Sequence, residues 1–265
     1  MISVLTVNYD SSADLAELIA SIREHRGGVE IELIITNNSA SEEVAVSGDA
    51  SIPIRILTPD SNIGFAAGVN LAYRSSRGDI LMIANPDIRV SEGTFDAAVR
   101  FMDASSDVGV VLPLLRSLDG SVQSSVRQFY TWAVALYARS PLRLLSQPSF
   151  FRRYLCGDMD RTRPTDVDWG LAAAMFLRRS DWPDPELFDE RFFLYFEDVD
   201  LCYRVWQRGQ RVTYCPHIEC IHAHRRASSN PFSSAGWHHF QSFTRFLSKH
   251  GGLPQRPERA PAQAR

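Results

Sequence analysis

The chain has 265 residues, of which 45% are hydrophobic and 22% charged, and its formal net charge is −3. This composition fits one large α/β domain or two small ones, and the acidic balance gives no reason to expect a nucleic-acid partner. No apolar run approaches the roughly 20 residues of a transmembrane helix. The four cysteines show no small-disulfide pattern and no signal peptide precedes the first strand-like run, so we expect a cytoplasmic location.

Short apolar runs alternate with helix-like segments through the first third of the chain. Strands are predicted over residues 2–7, 31–35, 54–57 and 80–84. Apolar residues at helical spacing predict one helix that ends at Gly27, and a second helix opens at residues 62–68. The alternation predicts an α/β fold with a mostly parallel central sheet flanked by helices. In such sheets ligands bind beyond the carboxyl ends of the strands, where the polar clusters of this chain lie.

The regularity weakens beyond Val110. Residues 127–163 mix aromatic residues with seven Arg and two Asp, a local charge of +5. A basic, aromatic, partly helical stretch can lie on an anionic membrane surface, here the inner face of the plasma membrane. It can equally be a helix and loop that cover the core while their arginines are solvated. Residues 251–265 are rich in Pro, Gln and Arg, which predicts a disordered tail.

The acidic turn Asn85-Pro86-Asp87 closes the strand predicted over residues 80–84. Pro86 restricts the backbone at the strand exit and so fixes the direction of the Asp87 carboxylate. A carboxylate in that place can hold Mg²⁺ or Mn²⁺, and the metal then bridges the phosphates of a nucleotide. An Asp in such a turn also commonly caps its own backbone, so the motif alone leaves both interpretations open.

Three carboxylates, Glu197, Asp198 and Asp200, lie within four residues, between Phe196 and an apolar helix-like run. Acidic residues suit a helix N-terminus, and Asp200 fits that explanation because Arg204 can pair with it four residues on. Glu197 and Asp198 together exceed what a cap needs, and both are costly to bury unless they are paired or coordinating. Carboxylates against apolar neighbours have raised proton affinity, which makes this pair a candidate for general base catalysis.

Residues 211–224 alternate like a strand and contain five residues of metal-binding type: Cys215, His217, Cys220, His222 and His224. Zinc is one interpretation, but the spacing does not match a paired Cys-x-x-Cys frame. Strict alternation also puts Cys215 and His217 on one face and the other three on the opposite face. A single His that joins a carboxylate on Mn²⁺ or Mg²⁺ is the interpretation we favour, and imidazole favours Mn²⁺.

Together these segments resemble the family 2 glycosyltransferases, nucleotide-sugar-dependent enzymes of GT-A fold. The resemblance covers roughly residues 2–247, and its most specific stretch runs from Phe188-Asp189-Glu190-Arg191-Phe192-Phe193 through Glu197-Asp198-Val199-Asp200-Leu201 to Arg204. Within the family the chain looks most like bacterial rhamnosyltransferases of O-antigen or cell-wall linker synthesis. Val167-Asp168-Trp169 and residues 232–247, with Trp237-His238, also look like that subgroup.

The resemblance implies a role for each polar position. Asp198 would be the general base, Glu197 would position the acceptor beside it, and Trp169 would stack on a sugar ring. Asp87 would hold the metal, Mg²⁺ or Mn²⁺, and His222 would be a further metal ligand. The donor nucleotide would be bound or framed by nine residues near the strand ends: Val7, Tyr9, Asn37, Asn62, Gly64, Gly68, Asn70, Asn85 and Asp87.

Three positions depart from the pattern of the family. Asn37 stands where the family usually has an Asp that accepts the pyrimidine N3–H, so the same contact would lack charge assistance. Asn85 replaces a carboxylate found in many members, which leaves fewer anionic ligands for the metal. Ala172 stands where a Gly often follows the tryptophan, which narrows the acceptor side.

The activity implied by the resemblance is an inverting transfer of a sugar, L-rhamnose from dTDP-rhamnose, onto a lipid-diphosphate-linked GlcNAc or glycan. Residues 1–250 would form one GT-A domain, with a nucleotide-sugar half at 1–110 and an acceptor-side, catalytic half with a helical C-terminal part at 111–250. Three alternatives stay open: a UDP-linked donor, a catalytically silent nucleotide-sugar-binding domain, and a nucleotidyltransferase. The last usually carries a Gly-rich basic loop after the first strand, and residues 8–11 contain neither Gly nor Arg.

Overall fold

A computed structural model of the chain describes residues 1–44, 52–144, 146–223 and 234–257. In these residues the strands are β1 Ile2–Asn8, β2 Ile31–Asn37, β3 Ile54–Leu57, β4 Ile80–Ala84, β5 Ile88–Val90, β6 Val108–Arg116, β7 Val126–Arg127, β8 Thr165–Asp166, β9 Trp169–Gly170, β10 Ala174–Arg178 and β11 Arg211–His222. The helices are α1 Ser12–His25, α2 Phe65–Ser75, α3 Thr94–Ala104, α4 Trp132–Arg139, α5 Ser149–Tyr154, α6 Glu197–Gln207 and α7 Ser234–His250. Two short 3₁₀ turns lie at Pro141–Leu144 and Arg179–Asp181.

Nine of the strands form one mixed sheet in the order β3-β2-β1-β4-β10-β6-β11-β5, with β8 added to β11. β1 pairs in parallel with β2 and β4, β2 pairs in parallel with β3, and β6 with β11. β10 runs antiparallel between β4 and β6. The four strands predicted in the first third of the chain are therefore confirmed as parallel neighbours, and their carboxyl ends meet at one edge of the sheet.

Helices cover both faces of the sheet because its strands are apolar on both sides. In β1, Leu5 and Val7 belong to one buried cluster, whereas Ile2 and Val4 belong to the other. The first cluster contains the inner sides of α2, α6 and α7, and the second contains those of α1 and α3. Near-continuous apolar strands of this kind are typical of sheets buried on both faces. The predicted fold class, a mostly parallel central sheet flanked by helices, is confirmed.

The strand predicted over residues 211–224 is β11, but its face pattern differs from the prediction. Pairing with β6 skips residues 216–218, which form a bulge. A bulge resets the alternation of the side chains, and Cys215 and Cys220 are consequently buried in the same apolar cluster. The prediction that they lie on opposite faces is wrong, since the proline at the start of the skipped segment cannot donate to the ladder. His224 lies outside the described residues.

The basic stretch at residues 127–163 is partly helical, as its composition predicts. It contains α4 and α5, which pack against each other through the ring of Tyr137, 5.4 Å from the Phe150 ring and 5.0 Å from the Phe151 ring. Val134 on the inner side of α4 is buried in the main apolar cluster, so the segment is tied to the core. None of the helices in the described ranges combines the length and apolarity that a bilayer crossing requires.

The beginning of the tail packs against the domain. Pro254 is buried, and the guanidinium of Arg256 lies 3.8 Å from the centroid of the Trp206 ring. Arg256 also lies 3.7 Å from the carboxylate of Asp168. These contacts give residues 251–257 an ordered position, which differs from the disorder that their composition predicts. Residues 258–265 lie outside the described residues.

A buried carboxylate joins α6 to α7. Asp200 is fully buried, and its oxygens lie 2.9 Å from Arg204 Nε, 2.7 Å from Lys249 Nζ and 2.7 Å from His250 Nε2. Burial acts to raise the pKa of Asp200, but the hydrogen bond from His250 and the charges of Arg204 and Lys249 together lower it below its ordinary value. The predicted pairing of Asp200 with Arg204 is confirmed, and Asp200 is committed to holding the two helices together.

Candidate active site

Two consecutive residues with positive φ turn the chain into α6. Tyr195 has a φ of 67° and Phe196 a φ of 68°, a conformation that is rare for aromatic residues. Backbone strain of this kind persists only where the surrounding structure holds it, and it clusters at functional sites. The turn places Glu197 and Asp198 in the first turn of α6, where the unpaired backbone N–H groups of a helix favour negative charge.

Glu197 and Asp198 are buried side by side, with 5% and 8% of their surface exposed. Burial raises the pKa of Asp198 to about 6. Burial and the neighbouring charge of Asp198 raise the pKa of Glu197 well above its ordinary value. Near neutral pH, therefore, Asp198 is largely ionised, whereas Glu197 keeps its proton to a higher pH than an ordinary glutamate does. No group of the described residues forms a hydrogen bond with Glu197 Oε2, so the pair has one carboxylate and one unengaged carboxyl oxygen available.

Backbone contacts connect this pair to the acidic turn after β4. Asp198 Oδ1 accepts a hydrogen bond of 2.8 Å from the Val199 N–H, and the Ala172 N–H also donates to Asp198. The carbonyl of the next residue, Ala173, accepts a 2.8 Å hydrogen bond from the Asn85 N–H. Two adjacent residues of one loop thus hold Asp198 on one side and the turn that contains Asp87 on the other. The structure brings both predicted acidic elements to the same edge of the sheet.

The end of β11 brings His222 to Asp87. His222 Nε2 lies 3.3 Å from Asp87 Oδ2, and the Ala223 N–H donates to the Asp87 carbonyl at 2.9 Å. Gln123 holds the other side of the imidazole, because its Nε2 donates to the His222 carbonyl at 2.9 Å and its Oε1 lies 2.8 Å from His222 Nδ1. A carbonyl can only accept, so the Gln123 amide must face it with its NH₂ group. Oε1 therefore accepts from Nδ1–H, and Nε2 is the ring nitrogen that faces Asp87.

Asp87 and His222 fit the divalent metal that the sequence implies. A lone pair on imidazole beside a carboxylate oxygen is a suitable pair of ligands for Mn²⁺, and a hydrogen bond to the other ring nitrogen is the usual support for such a histidine. Across the described ranges, no group of three or more His, Cys, Asp or Glu side chains is placed to hold a metal. The other ligands would be donor phosphates and water, which is how Mg²⁺ is usually bound at nucleotides.

A stack of aromatic rings borders the two carboxyl groups. The Tyr130 ring lies between Trp169 and Phe196, with centroid distances of 5.8 Å and 5.5 Å. Trp169 is only 5% exposed, and its Nε1–H donates to the Gln128 carbonyl at 2.9 Å. Trp169 was expected to stack on a sugar ring, but the structure uses it inside the protein because Tyr130 covers it. Tyr130 is half-buried and is the most exposed ring of this stack.

The predicted donor residues divide into exposed and packed positions. Tyr9 is 57% exposed just beyond the end of β1, and Asn62 is exposed and accepts a 2.9 Å hydrogen bond from the Gly64 N–H. Val7 is buried in the core, and a Cβ on Gly68 would lie 2.9 Å from its Cγ2. Tyr9 and Asn62 are therefore placed where a ligand can reach them, whereas Val7 and Gly68 allow α2 to pack closely on β1.

The two asparagines at the end of β2 differ in how fully the protein engages their side chains. Asn37 is buried, its Oδ1 accepts from Asn8 Nδ2 at 2.9 Å, and its Nδ2 donates to the Glu42 carbonyl at 2.9 Å. These contacts commit its amide to the protein. Asn38, which the sequence did not single out, donates to the Gly64 carbonyl, and its Oδ1 has no hydrogen-bond partner in the described part of the chain. Asn38 Oδ1 is thus the amide oxygen at this strand end whose capacity to accept a hydrogen bond is unused in the described part of the chain.

Asn70 was expected beside the nucleotide, but the structure places it elsewhere. It is fully buried, and its Oδ1 accepts from the N–H groups of Leu187 and Phe188 at 2.9 and 3.0 Å. Its Nδ2 donates to the Phe188 carbonyl at 2.8 Å. The side chain therefore braces the segment that leads to α6. Sequence patterns do not reveal such a contact, because its partners lie more than a hundred residues away.

Gln123, Tyr130 and Asn38 are the site residues that the sequence analysis missed. Gln123 lies in the short polar run Ser121-Val122-Gln123-Ser124, which has no periodic pattern and no charge. Tyr130 belongs to the basic aromatic stretch at residues 127–163, in which no spacing or neighbour distinguishes one aromatic residue from the others. Asn38 stands beside Asn37 at the end of β2, and only the family pattern favoured its neighbour. The adjacency of two Asn at a strand end was the one available signal.

Comparison with solved structures shows which fold the chain adopts. A structure of GalNAc-T7 with UDP, GalNAc and Mn²⁺ has a TM-score of 0.68 at 13% identity over 94% of this chain, which spans about half (48%) of that protein. The mannosyltransferase PcManGT from Pyrobaculum calidifontis, in complex with GDP-Man and Mn²⁺, has a TM-score of 0.55 at 14% identity, covering 98% of this chain and 65% of its own. The fold is the GT-A glycosyltransferase fold, as the sequence predicts.

Sequence comparison identifies the family within that class. The model of glycosyl transferase family 2 matches residues 3–163, and the chain belongs to this family. It is 26% identical to the N-acetylglucosaminyl-diphospho-decaprenol L-rhamnosyltransferase of Mycobacterium tuberculosis, over 98% of this chain and 88% of the relative. It is 27% identical to rhamnosyltransferase WbbL of Escherichia coli, over 70% of each chain. The predicted resemblance to this family, near its rhamnosyltransferases, is confirmed, and the chain is an enzyme of the glycosyltransferase class.

The raised pKa of Asp198 predicts how the variant Asp198→Asn changes stability with pH. The folded-state pKa of about 6 exceeds the ordinary value of about 3.9, so ionisation disfavours the folded state, and stability falls between about pH 4 and pH 6. The variant lacks this fall. We expect a free energy of unfolding about 1–3 kcal/mol higher than that of the wild type at pH 8, and no gain at pH 4, in urea titrations. A loss of stability at pH 8 would show that Asp198 supports the fold.

Proposed function

We propose that this enzyme transfers L-rhamnose from dTDP-rhamnose, with inversion at the anomeric carbon, onto a lipid-diphosphate-linked GlcNAc or glycan. The observation that carries the proposal is the buried pair at the start of α6, in which burial raises the pKa of Asp198 to about 6 and raises the pKa of Glu197 well above its ordinary value. Two carboxyl groups whose proton affinities are separated by their environment are the pattern of an acid–base site. The pair lies one loop away from Asp87 and His222.

Asp198 acts on the acceptor as general base. A hydroxyl of the acceptor attacks the anomeric carbon, its proton passes to an Asp198 carboxylate oxygen, and the new glycosidic C–O bond forms. The bond from the anomeric carbon to the donor diphosphate breaks on the opposite face, and its electron pair leaves with the nucleoside diphosphate. Protonated Glu197 positions the acceptor by a hydrogen bond from its carboxyl group. The rings of Tyr130 and Phe196 exclude water from one side of the two carboxyl groups.

Asp87 and His222 would hold Mg²⁺ or Mn²⁺, with Gln123 fixing the imidazole so that Nε2 faces Asp87. When bound, the metal would neutralise the negative charge of the leaving diphosphate. Two observations support this part of the proposal: the 3.3 Å approach of Asp87 and His222, and the presence of Mn²⁺ in two structures of the same fold. Asn85 holds the turn through its backbone N–H.

The names of the relatives support the donor and the acceptor. One full-length relative is named as a rhamnosyltransferase that acts on N-acetylglucosaminyl-diphospho-decaprenol, and a second is named as a rhamnosyltransferase. The exposure of Tyr9 and Asn62 near the strand ends supports a site for the thymine base there. A lipid-linked acceptor is also consistent with an enzyme that works at the inner face of the plasma membrane as a peripheral protein.

The donor class is tested by thermal unfolding of the purified chain with dTDP, UDP, GDP and ADP, each with and without Mn²⁺. We expect stabilisation by dTDP that depends on Mn²⁺, because the diphosphate and the metal bind the folded state together. A preference for UDP would retain a glycosyltransferase with another donor and would exclude rhamnose from dTDP. The absence of a response to every nucleotide would contradict the proposed donor site.

Turnover of Asp198→Asn tests the base. General base catalysis typically contributes about 10²–10⁴-fold, so we expect kcat to fall by at least about 10²-fold while the thermal response to dTDP and Mn²⁺ is retained. In the wild type, kcat/KM should rise as the pH increases through about 6, where Asp198 loses its proton. Asp166→Asn is the matched control, since Asp166 is a half-buried carboxylate near the opposite end of β11. Equal loss in both variants would contradict the role of Asp198.

The role of Gln123 is tested by metal binding alone. In Gln123→Leu the His222 ring loses its hydrogen-bond acceptor, and loss of such support typically weakens metal affinity about 10–100-fold. We expect that loss for Mn²⁺ in the presence of dTDP, measured by electron paramagnetic resonance of the free ion. Gln128→Leu, an exposed glutamine five residues on, should bind Mn²⁺ as the wild type does. Unchanged affinity in Gln123→Leu would exclude His222 as a ligand that depends on this contact.

A further inference from the structure

The segment between β7 and β8 exposes several large apolar side chains. Trp132 is 58% exposed, Leu136 72%, Leu142 55% and Phe150 38%. Trp132 and Leu136 lie four residues apart and so share one face of α4, while Val134 on its other side is buried in the core. The rings of α5 hold the segment in place through Tyr137. We name the outward side of these four residues the apolar face of α4–α5.

The segment that carries this face is basic in sequence, although Arg152 near its end pairs with Asp158 at 3.2 Å. Residues 120–157 contain five Arg and no Asp or Glu, although the whole chain has a net charge of −3. Exposed Trp, Phe and Leu beside Arg are the side chains that proteins place at the boundary between water and lipid. A second copy of this chain fits the face poorly, because two such basic surfaces would then meet. The surface is thus suited to a partner that is both apolar and anionic.

The apolar face begins beside the two catalytic carboxyl groups. Tyr130, two residues before Trp132, stacks on Phe196, which directly precedes Glu197. The start of α7 also brings exposed apolar side chains close to Phe196. The ring of His239 lies 5.2 Å from that of Phe196. On the same turn of α7, the side chain of Trp237 is 59% exposed and that of Phe240 is 47% exposed. Two elements that expose apolar side chains therefore reach the ring at the entrance to α6.

We propose that the apolar face of α4–α5 docks on an anionic lipid bilayer and so presents the carboxyl pair of α6 to an acceptor in that bilayer. The proposal rests on the proposed function in that the acceptor is taken to be lipid-linked. The apolar side chains enter the boundary between headgroups and acyl chains, and the arginines bind the anionic headgroups. A sugar carried on a lipid diphosphate then reaches Asp198 from the side of Tyr130, without leaving the membrane.

The test is sedimentation of the full chain with vesicles of phosphatidylglycerol or of phosphatidylcholine, without nucleotide or metal. We expect binding to phosphatidylglycerol that weakens with salt, and little binding to phosphatidylcholine. The double variant Trp132→Ser/Leu136→Ser should lower the partition coefficient about tenfold or more, since it removes two apolar side chains that would enter the bilayer. Leu118→Ser, a control with 61% exposure in the turn after β6, should bind as the wild type does.

Three outcomes would overturn the proposal: no vesicle binding by the wild type, equal binding by the wild type and the double variant, or equal loss of binding in the control. A wild type that is dimeric by analytical ultracentrifugation, with a double variant that is monomeric, would assign the face to a second copy instead. The thermal response of the double variant to dTDP and Mn²⁺ separates the two proposals. Vesicle binding without any nucleotide response would contradict the proposed function while it supported the docking face.

Discussion

Burying two carboxyl groups side by side is the constraint around which the rest of the site is arranged. Two adjacent buried charges would repel each other, and each would lose its hydration. The fold reduces both costs. Burial and the charge of Asp198 raise the pKa of Glu197, which favours its neutral form, and the N–H groups of Val199 and Ala172 stabilise the Asp198 carboxylate. The strained turn at Tyr195 and Phe196 puts both groups at the positive end of α6.

The direction of one strand explains how the other half of the site reaches this pair. β10 runs antiparallel to β4, and Ala174 at its start faces Ala84 at the end of β4. The loop that enters β10 therefore lies at the edge where the parallel strands end. Its residues Ala172 and Ala173 contact Asp198 on one side and the turn after β4 on the other. Had β10 been parallel, its entering loop would lie at the far edge of the sheet, and the two acidic elements would lack this connection.

The sequence predicts the elements and the edge of the site better than it predicts individual contacts. The four parallel strands follow from local apolar runs, and strand order brings Asp87 and the ends of β1 and β2 together. The parts played by Trp169, Asn37 and Asn70 differ from the prediction because each side chain is engaged by a partner that no local pattern reveals. The bulge in β11 is a similar case, since a skip of three residues changes which side chains share a face. Gln123 escaped notice because its importance lies in a hydrogen bond to a residue 99 positions away.

The contacts of α2 join the two halves of the enzyme. Asn70 holds the backbone of Leu187 and Phe188, and the Phe65 N–H donates to the Phe193 carbonyl at 2.9 Å. Gly64, with a φ of 85°, leaves no room for a side chain because a Cβ there would lie 2.7 Å from the same carbonyl oxygen. Any displacement of the start of α2 must therefore also move the backbone at Phe193, three residues ahead of Phe196. The start of α2 and the backbone that leads to the carboxyl pair of α6 are in this way mechanically coupled, although more than a hundred residues separate them in the chain.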